Sequence, residues 1–445
     1  MNQDFNSASN CRHYTFVIVG NGIAGITAAE TLRVGDPAAA IAIIANDATP
    51  VYFRPALKDY LAGRVSENKL WARPANFYQQ QGIDCIAARV VGIDVARHRI
   101  TLLDGRQVGY GRLLLACGAY PRSLTCPGSN LGGIFTLRSI TDYQSVLARL
   151  PQVKSVLVVG SGTLALETVE SMRLRGLHVS HIIRHKTLWS EVLDATASDL
   201  VLQQERHDGV DIKLNSEVVE FTGSQGQVSG AITTPGTHIP CELVLVAIGI
   251  APYIDFMRKS GIACGLGVKV DHAMRTNAPD IFAAGDVVET TSQLTGRTRL
   301  VGQWFPAVQQ ARAAAYSMLD RLEVEDGFRA ELYYNATFLY GLDFGSVGLT
   351  NAQGFALQEI IAPPRPHSYR KVVLKDGCAV GMLSLGDRKQ ALAFKRAIDH
   401  RVNLLPVAPL LFEEQFDLNR WLNMQAVPPP LLDIGKIVER SEVGV

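Results

Sequence analysis

The chain lacks the features that mark several common classes of protein. Its seven cysteines are scattered and never form a CxxC pair, which argues against a disulfide-stapled secreted domain, a zinc or iron–sulfur site and a paired-thiol redox centre. Lysine plus arginine (43) nearly balances aspartate plus glutamate (42), so no basic surface for nucleic acid is expected. Uncharged runs are shorter than the ~18–20 residues of a membrane helix, and residues 1–10 carry no apolar signal core. These absences predict a cytoplasmic protein with no transmembrane segment and no metal site.

The chain is rich instead in the residues that a large interior and tight turns require. It has 47% apolar residues and 39 glycines. Its 445 residues are about three times an average domain of ~150 residues, so two or three packed units are expected.

The first informative segment reads as strand, glycine turn and helix. A β-branched run ends at Gly20, which permits a tight turn; Gly22 lets a pyrophosphate approach the backbone, and Gly25 lets helix and strand pack closely. A second apolar run, 41–44, leads to Asp47, which lies 22 residues after Gly25, where a ribose hydroxyl needs a carboxylate. The pattern predicts a dinucleotide site, and the alternative is a purely structural glycine turn.

A second segment of the same kind follows 140 residues later. The apolar run 156–159 leads into Gly160, Gly162 and Ala165, and a helical stretch continues it. Alanine is an accepted third residue of this fingerprint. The sequence therefore predicts a second dinucleotide site.

The second strand of that segment, 179–183, runs into the bases Arg184, His185 and Lys186 instead of an acid. Arg184 could clamp the extra phosphate of NADPH with two hydrogen bonds, and Lys186 could add charge, whereas a carboxylate would repel that phosphate. This favours NADPH over NADH. The alternative is that the bases form an ordinary solvated strand end.

Together with further motifs along nearly the whole chain, this pair of segments resembles the two-dinucleotide-fold flavoprotein reductases. That family includes NADH:rubredoxin reductases, bacterial ferredoxin reductases and the flavin-binding part of assimilatory nitrite reductase, to which the stretch 184–194 is especially similar. The further shared segments are 52–57, 114–122, 246–252 and 276–287.

The resemblance implies an α/β fold with two Rossmann-like domains, the NAD(P)H domain inserted into the FAD domain, and a C-terminal α+β interface domain. A charged segment, 321–331, is expected to be a linker. The expected boundaries are 12–120 and 253–325 for the split FAD domain, 121–252 for the NAD(P)H domain, 330–402 for the C-terminal domain and 403–445 for an extension.

The resemblance also assigns FAD to the first site. By position, Asp286 after Gly285 faces the ribityl chain of the flavin, and Arg54 and Arg122 are cationic partners of the pyrophosphate. A surface role is the alternative for either arginine. Three more residues fall in shared segments around the same cofactors: Cys117, Gly118 and Gly249.

Two further residues carry alternatives. Glu167 occupies the family position near the nicotinamide, where it could accept a hydrogen bond from the carboxamide or pair with a base. The alternative is that it is an acid in the first turn of a helix, where the helix dipole favours a negative charge. Trp304, like Gln309, falls on a helix that approaches the flavin ring, and core packing is the stronger alternative for Trp304.

The departures from the family pattern limit what the resemblance implies. Lys58 stands one place earlier than the lysine of several ferredoxin reductases, so contact with flavin is not assumed. Cys117 replaces a threonine and is interpreted as a core residue. Relatives that reduce peroxide, oxygen or coenzyme A disulfide have a lone cysteine shortly after the ribose acid, and the absence of one between Asp47 and Leu70 argues against these activities.

The expected function is therefore an FAD-dependent NAD(P)H oxidoreductase. It would pass hydride from the nicotinamide to flavin, and then electrons to a small iron–sulfur or rubredoxin-type carrier. The alternatives are a quinone or small-molecule reductase that uses its C-terminal tail as a membrane contact, and a non-catalytic FAD-binding subunit or scaffold.

The C-terminal part alternates apolar and polar residues from Tyr333, with turn signals at Asp376 and Gly386. It predicts an antiparallel sheet followed by a helix over 389–401, and the resemblance makes this domain a candidate homodimer interface. The extension is expected to pack back over the protein, with a membrane or partner surface as the alternative.

Overall fold

The computed structural model of the protein describes residues 11–46, 49–234, 236–292, 294–322, 328, 334–352 and 356–430. Asp47 and most of the predicted linker 321–331 lie outside these residues. The described residues form two compact units. The first unit comprises Met1–Pro55, Leu70–Tyr120 and Ile250–Ala330, and the second comprises Ala56–Lys69, Pro121–Gly249 and Glu331–Val445. Nowhere in the described ranges is a helix long and apolar enough to cross a membrane.

The strands run in chain order through both units. They are β1 (Arg12–Val19), β2 (Ile41–Ala45), β3 (Ile83–Ala87), β4 (Val90–Asp94), β5 (Arg99–Leu102), β6 (Gln107–Leu115), β7 (Ala119–Pro121), β8 (Ile134–Thr136), β9 (Ser155–Val159), β10 (His178–Ile183), β11 (Asp211–Leu214), β12 (Val218–Ser224), β13 (Gln227–Thr233), β14 (Thr237–Pro240), β15 (Leu243–Val246), β16 (Ile250–Pro252), β17 (Val268–Lys269), β18 (Ile281–Ala283), β19 (Val288–Thr291), β20 (Thr298–Leu300), β21 (Tyr334–Leu339), β22 (Leu342–Gly348), β23 (Gln358–Ile361), β24 (Tyr369–Lys375) and β25 (Cys378–Leu385).

The helices that flank these strands are shorter than sixteen residues. They are α1 (Ile23–Gly35), α2 (Leu57–Ala62), α3 (Phe77–Gln80), α4 (Ile140–Arg149), α5 (Thr163–Leu174), α6 (Ala195–His207), α7 (Asp255–Lys259), α8 (Trp304–Met318), α9 (Ala391–Asp399) and α10 (Leu418–Met424).

A seven-stranded sheet forms the centre of the first unit, in the order β3-β2-β1-β6-β5-β4, with β18 also paired to β6. β1, β2, β3, β6 and β18 are parallel, whereas β5 pairs antiparallel with β6, and β4 pairs antiparallel with β5. β1 is covered on both faces: Phe16 and Ile18 pack with α1 and α8, and Val17 and Val19 pack in the opposite cluster. A strand that is apolar on both faces is what a doubly wound parallel sheet requires.

The second unit contains a parallel and an antiparallel sheet. The parallel sheet has the order β11-β10-β9-β15-β8, and the antiparallel sheet from the C-terminal part has the order β21-β22-β25-β24-β23. The two share a core, since Leu166 and Leu202 of α5 and α6 cluster with Phe344 and Leu385. A smaller antiparallel sheet, β12-β13-β14, completes the unit.

The α/β class with two dinucleotide-type parallel sheets is confirmed. The antiparallel C-terminal sheet is present as well, and its β24–β25 turn has the left-handed residues Asp376 (φ 51°) and Gly377 (φ 79°) that a tight hairpin requires. The helix expected over 389–401 runs over Ala391–Asp399. The domain boundaries stay a prediction, because they are defined by the nucleotide that each segment is expected to bind.

The described part of the extension packs against α9. Arg396, only 7% exposed, donates to the carbonyls of Val427 and Pro428, the latter at 2.8 Å. It also donates to the side-chain oxygens of Asn419 at 2.9 Å and Asn423 at 2.7 Å. One arginine thus holds both α10 and the chain that follows it.

Candidate dinucleotide sites

The first glycine loop follows β1 in the first unit. Gly20 has φ +118°, and a Cβ there would lie 2.2 Å from the carbonyl oxygen of Ala116. A Cβ on Gly25 would lie 2.0 Å from the carbonyl oxygen of Gly20. Both positions therefore require glycine. A Cβ on Gly22, in contrast, would meet no atom within 4 Å, so this face of the loop is open to a ligand.

Helix α1 begins directly after Gly22 and has neither a side-chain cap nor an acid in its first turn. Its first N–H groups have no partner within the helix, and the helix dipole adds positive potential there. An open glycine loop against such a helix end fits a pyrophosphate. The residues present thus fit the dinucleotide that the sequence predicts.

The turn at Gly285 and Asp286 lies next to the start of α1. Gly285 has φ +82°, and a Cβ there would lie 3.1 Å from the Cβ of Ala24. Its N–H donates to Oε1 of Gln310 at 2.7 Å, and Gln310 is only 1% exposed. The structure therefore brings the half-buried Asp286 to the first loop. Sequence reasoning missed Gln310, although a polar residue on the buried alanine face of α8 is a usable signal.

Aromatic and amide side chains gather at the start of α8. Trp304 is half-buried and contacts the ring of Phe53 edge-on, with centroids 4.9 Å apart. The Oε1 atoms of Gln303 and Gln309 are buried and accept no hydrogen bond from the described residues. Buried acceptors of this kind fit a ligand that brings its own donors.

The two predicted arginine partners lie in different units. Arg54 is half-buried in the first unit, with its guanidinium 5.6 Å from the ring centroid of Tyr52. Arg122 is exposed in the second unit, and its backbone N–H donates to the carbonyl of Gly249 at 2.9 Å.

Cys117 follows the Ala116 carbonyl that closes the first loop. Its thiol points to the carbonyl of Tyr253 at 3.9 Å and packs against the apolar core. Burial raises the pKa of this thiol to about 12, so it stays protonated at neutral pH. This agrees with its interpretation as a core residue. The neighbouring Gly118 has φ +71°.

The second glycine loop repeats this geometry in the second unit. Gly160 has φ +145°, and a Cβ there would lie 2.2 Å from the carbonyl oxygen of Ala247. A Cβ on Gly162 would meet nothing within 4 Å, and α5 begins directly after it with no acid in the first turn. Ala165 is completely buried, as the close-packing third position requires. This loop also fits a dinucleotide.

Glu167 lies beyond the first turn of α5, so the helix-dipole explanation of this acid does not apply. Its carboxylate pairs with Lys58 at 3.5 Å and accepts from the hydroxyl of Thr337 at 3.2 Å. Burial raises the pKa of Glu167 above its usual 4.5, and the Lys58 ammonium opposes this rise. Sequence reasoning left Lys58 without a partner because the two residues are far apart in the chain.

The three bases after β10 are all exposed. Nε of Arg184 donates to Nε2 of His185 at 3.3 Å. Both interpretations of these bases, a phosphate clamp and a solvated strand end, place them in solvent, and the structure does so too.

Residues 14–312 match the model of a protein family described as pyridine nucleotide-disulphide oxidoreductase. The chain belongs to this family. The ferredoxin reductase subunit of 5,5'-dehydrodivanillate O-demethylase from Sphingobium sp. (strain NBRC 103272 / SYK-6) is 31% identical over 83% of this chain and 89% of its own length. The rubredoxin-NAD(+) reductase of Pseudomonas putida is 32% identical over 68% of this chain and 79% of its own length. The solved ferredoxin reductase for the CYP199A2 system from Rhodopseudomonas palustris is 26% identical, with a TM-score of 0.83, 93% of this chain covered and 100% of that chain.

Membership of the pyridine nucleotide-disulphide oxidoreductase family confirms the resemblance, the oxidoreductase class and the cofactors FAD and NAD(P)H. The disulphide in the family description has no counterpart here. All seven cysteines are among the described residues, and each is free. No group of side chains in the described part of the chain is arranged to hold a metal ion.

Proposed function

We propose that the chain is an FAD-dependent NAD(P)H reductase of a small iron–sulfur or rubredoxin-type protein. The observation that carries this proposal is the pair of glycine loops, each closed on its strand by a contact that only glycine allows. The relatives named as a ferredoxin reductase subunit and a rubredoxin-NAD(+) reductase support the class of acceptor.

In this proposal the first glycine loop takes FAD and the second takes NAD(P)H, with 12–120 and 253–325 as the FAD domain and 121–252 as the NAD(P)H domain. The FAD-binding residues are Gly20, Gly22, Gly25, Asp47, Arg54, Cys117, Gly118, Arg122, Gly285, Asp286 and Trp304. The NAD(P)H-binding residues are Gly160, Gly162, Ala165, Glu167, Arg184 and Gly249. Cys117 contributes through its backbone, because its thiol faces the core.

The polypeptide binds and orients while the cofactor supplies the chemistry. When bound, FAD would supply the redox chemistry, which is acceptance of a hydride from a nicotinamide and release of single electrons. The uncapped ends of α1 and α5 hold the two pyrophosphates, and Asp286 binds the ribityl chain. Glu167, held by Lys58 and Thr337, orients the nicotinamide carboxamide.

The test is anaerobic rapid mixing of the purified, flavin-loaded protein with NADPH and with NADH. Absorbance should show fast bleaching of the flavin. A small ferredoxin or rubredoxin added next should become reduced and, by reoxidising the flavin, should restore its colour. A protein that cannot be loaded with FAD would overturn the whole proposal. Flavin that bleaches but is not reoxidised by either carrier would overturn the acceptor class alone.

A cytoplasmic location and a homodimer are also proposed. Seven free thiols suit a reducing compartment. The edge strands β21 and β23 carry the exposed apolar residues Phe338 and Ile361, which a second copy would cover. Light scattering on the purified protein measures the mass, and a monomer at micromolar concentration would contradict the dimer.

A further inference from the structure

A completely buried histidine lies behind the second glycine loop. His181 of β10 has no exposed surface, and its Nε2 lies 2.8 Å from the carbonyl oxygen of Gly160. Its Nδ1 lies 3.0 Å from Oε2 of Glu205 on α6, which is equally buried. The hydroxyl of Tyr340, at the β21–β22 turn, donates to the other carboxylate oxygen, Oε1, at 2.9 Å. These residues form a closed polar chain inside the second unit.

The proton positions in this chain follow from the partners. A carbonyl only accepts, so Nε2 must carry a proton and donate to Gly160. The other ring nitrogen, Nδ1, forms its hydrogen bond with Oε2 of Glu205. Burial and the nearby Glu205 hold the pKa of Tyr340 well above 10, so its hydroxyl stays a donor. Every polar atom of the imidazole therefore has a partner, which makes its orientation fixed.

The orientation of the Gly160 carbonyl sets the direction of the next N–H group. In a planar trans peptide the C=O of one residue and the N–H of the next point in opposite directions. Because His181 holds the carbonyl on the β10 side, the N–H of Ser161 points away from β10. The next carbonyl, of Ser161, accepts from the N–H of Trp189 at 2.8 Å, so the N–H of Gly162 points away from Trp189.

We propose that His181 is a positioning residue of the second dinucleotide site: by holding the Gly160 carbonyl it aims the loop N–H groups at the phosphates of the nicotinamide dinucleotide. This inference rests on the proposed function. Since Glu205 and Tyr340 hold the imidazole in turn, the geometry of the loop also depends on the C-terminal sheet.

The first unit provides an internal comparison. Its second strand pairs with β1 in the same register, Ile44 beside Val19, as β10 pairs with β9, Ile182 beside Val159. One residue earlier on each strand, Ile43 occupies the position of His181, and Ile43 is also buried. A buried aliphatic residue is therefore compatible with a glycine loop, and the histidine is an addition specific to the second loop.

The test uses two substitutions of similar polarity that separate the two contacts of the ring. The amide nitrogen of glutamine lies near the position of Nε2, and that of asparagine near Nδ1. His181→Gln therefore keeps a donor for Gly160, whereas His181→Asn keeps the contact with Glu205 and loses Gly160. Calorimetric titration with NADP⁺ and NAD⁺ measures binding without any reduction of flavin.

The expected result is about tenfold weaker binding for His181→Asn and binding within about threefold of the parent for His181→Gln. At saturating NAD(P)H the rate of flavin bleaching should match the parent in both, and flavin content should be unchanged. Equal affinities for the two variants would overturn the proposal, whether both bind as tightly as the parent or both bind more weakly. Parent protein that binds NADP⁺ or NAD⁺ but never bleaches would instead contradict the proposed function.

Tyr340→Phe keeps the histidine and tests the link to the C-terminal sheet. Loss of its hydroxyl frees Glu205 on one side, so binding of the nicotinamide dinucleotide should weaken about threefold. This variant also covers the case in which His181→Asn does not fold, which thermal melting detects. Unchanged affinity in Tyr340→Phe would contradict the dependence of the second loop on the C-terminal sheet.

Discussion

The two glycine loops, 20–25 and 160–165, share one backbone plan but are held by different side chains. In each, the first glycine lies against the carbonyl of an alanine, Ala116 or Ala247, at the same 2.2 Å from a hypothetical Cβ. Each of these alanines also donates its N–H to the strand before the loop at 2.8 Å.

The supports of the loops differ. The first is tied by its own Asn21, which donates to the carbonyl of Thr49 at 2.9 Å and accepts from the hydroxyl of Tyr78 at 2.8 Å. The second is tied through its carbonyls, by His181 and by the N–H of Trp189. Glycine and the facing alanine are therefore the shared requirement of the turn, whereas the support is free to vary.

The largest effect is expected from Gly20→Ala. The new Cβ would overlap the Ala116 carbonyl, which belongs to the backbone and cannot rotate away, and φ +118° is strained for alanine. FAD binding should fall at least about a hundredfold, so the protein should be purified nearly colourless. The ratio of flavin to protein after gel filtration measures this, and a fully flavin-loaded variant would refute the assignment of FAD to the first loop.

Gly160→Ala is the matched change in the other unit. The overlap with Ala247 is the same 2.2 Å, so binding of the nicotinamide dinucleotide should weaken by a similar factor of about a hundred. The flavin should stay bound, and reduction by dithionite should be normal. If the two alanine variants lose the same cofactor, the assignment of one nucleotide to each glycine loop is wrong.

Glu167→Gln removes a charge that is assigned to the second dinucleotide site alone. The ionised side chain should matter only above its folded pKa, which burial raises above 4.5, and its contribution should be lost as the pH falls through that value. At about pH 8 the variant should bind NAD(P)H roughly tenfold more weakly, and the difference should shrink as the pH falls through the raised pKa of Glu167. The pH dependence of the apparent Kd checks this, with flavin content as the control. A difference in Kd between the variant and the parent that grows as the pH falls would contradict the expected role of the ionised carboxylate.

Arg184→Ala tests the bases after β10, for which the sequence of the first unit offers no equivalent. Affinity for NADPH should fall about tenfold and affinity for NADH should stay within about twofold, since only the former carries the extra phosphate. Rapid mixing with each nucleotide measures both. A preference that does not move would leave these bases as a solvated strand end.

Cys117→Val should have the smallest effect. The position corresponds to Ile248, which follows β15 in the second unit; in both cases the residue lies between the closing alanine and a left-handed glycine. Flavin content and turnover should change less than about twofold. In the parent protein Cys117 should resist alkylation at neutral pH, since its pKa lies near 12. Peptide mass spectrometry measures the alkylation, and rapid labelling would contradict the burial argument.

Local constraints made the two loops predictable from the sequence. A turn that needs φ > 0, and in which a Cβ would lie 2.2 Å from a carbonyl oxygen, leaves only glycine as a choice, so the positions of Gly20 and Gly160 in the sequence indicate this turn. Alternation and turn residues likewise indicated the antiparallel C-terminal sheet.

Contacts between distant segments escaped the sequence analysis. The pair of Lys58 and Glu167 spans more than a hundred residues, and the chain from His181 to Tyr340 joins three elements of different type. Neither has a spacing that periodicity reveals, because tertiary packing alone brings the partners together. The outcome for Asp47 falls outside the described residues.

Arg396 also decides how the end of the protein can be shortened. A truncation before residue 419 would strip this buried guanidinium of all four of its oxygen partners and leave a charge inside the fold, so the shortened protein should melt earlier and aggregate. If the tail were tested as a membrane contact with lipid vesicles, loss of binding by such a protein would reflect disruption around α9 and not the absence of a membrane-binding segment. A cut after residue 430 keeps every one of these bonds, and it is the boundary at which a membrane role of the tail can be judged cleanly.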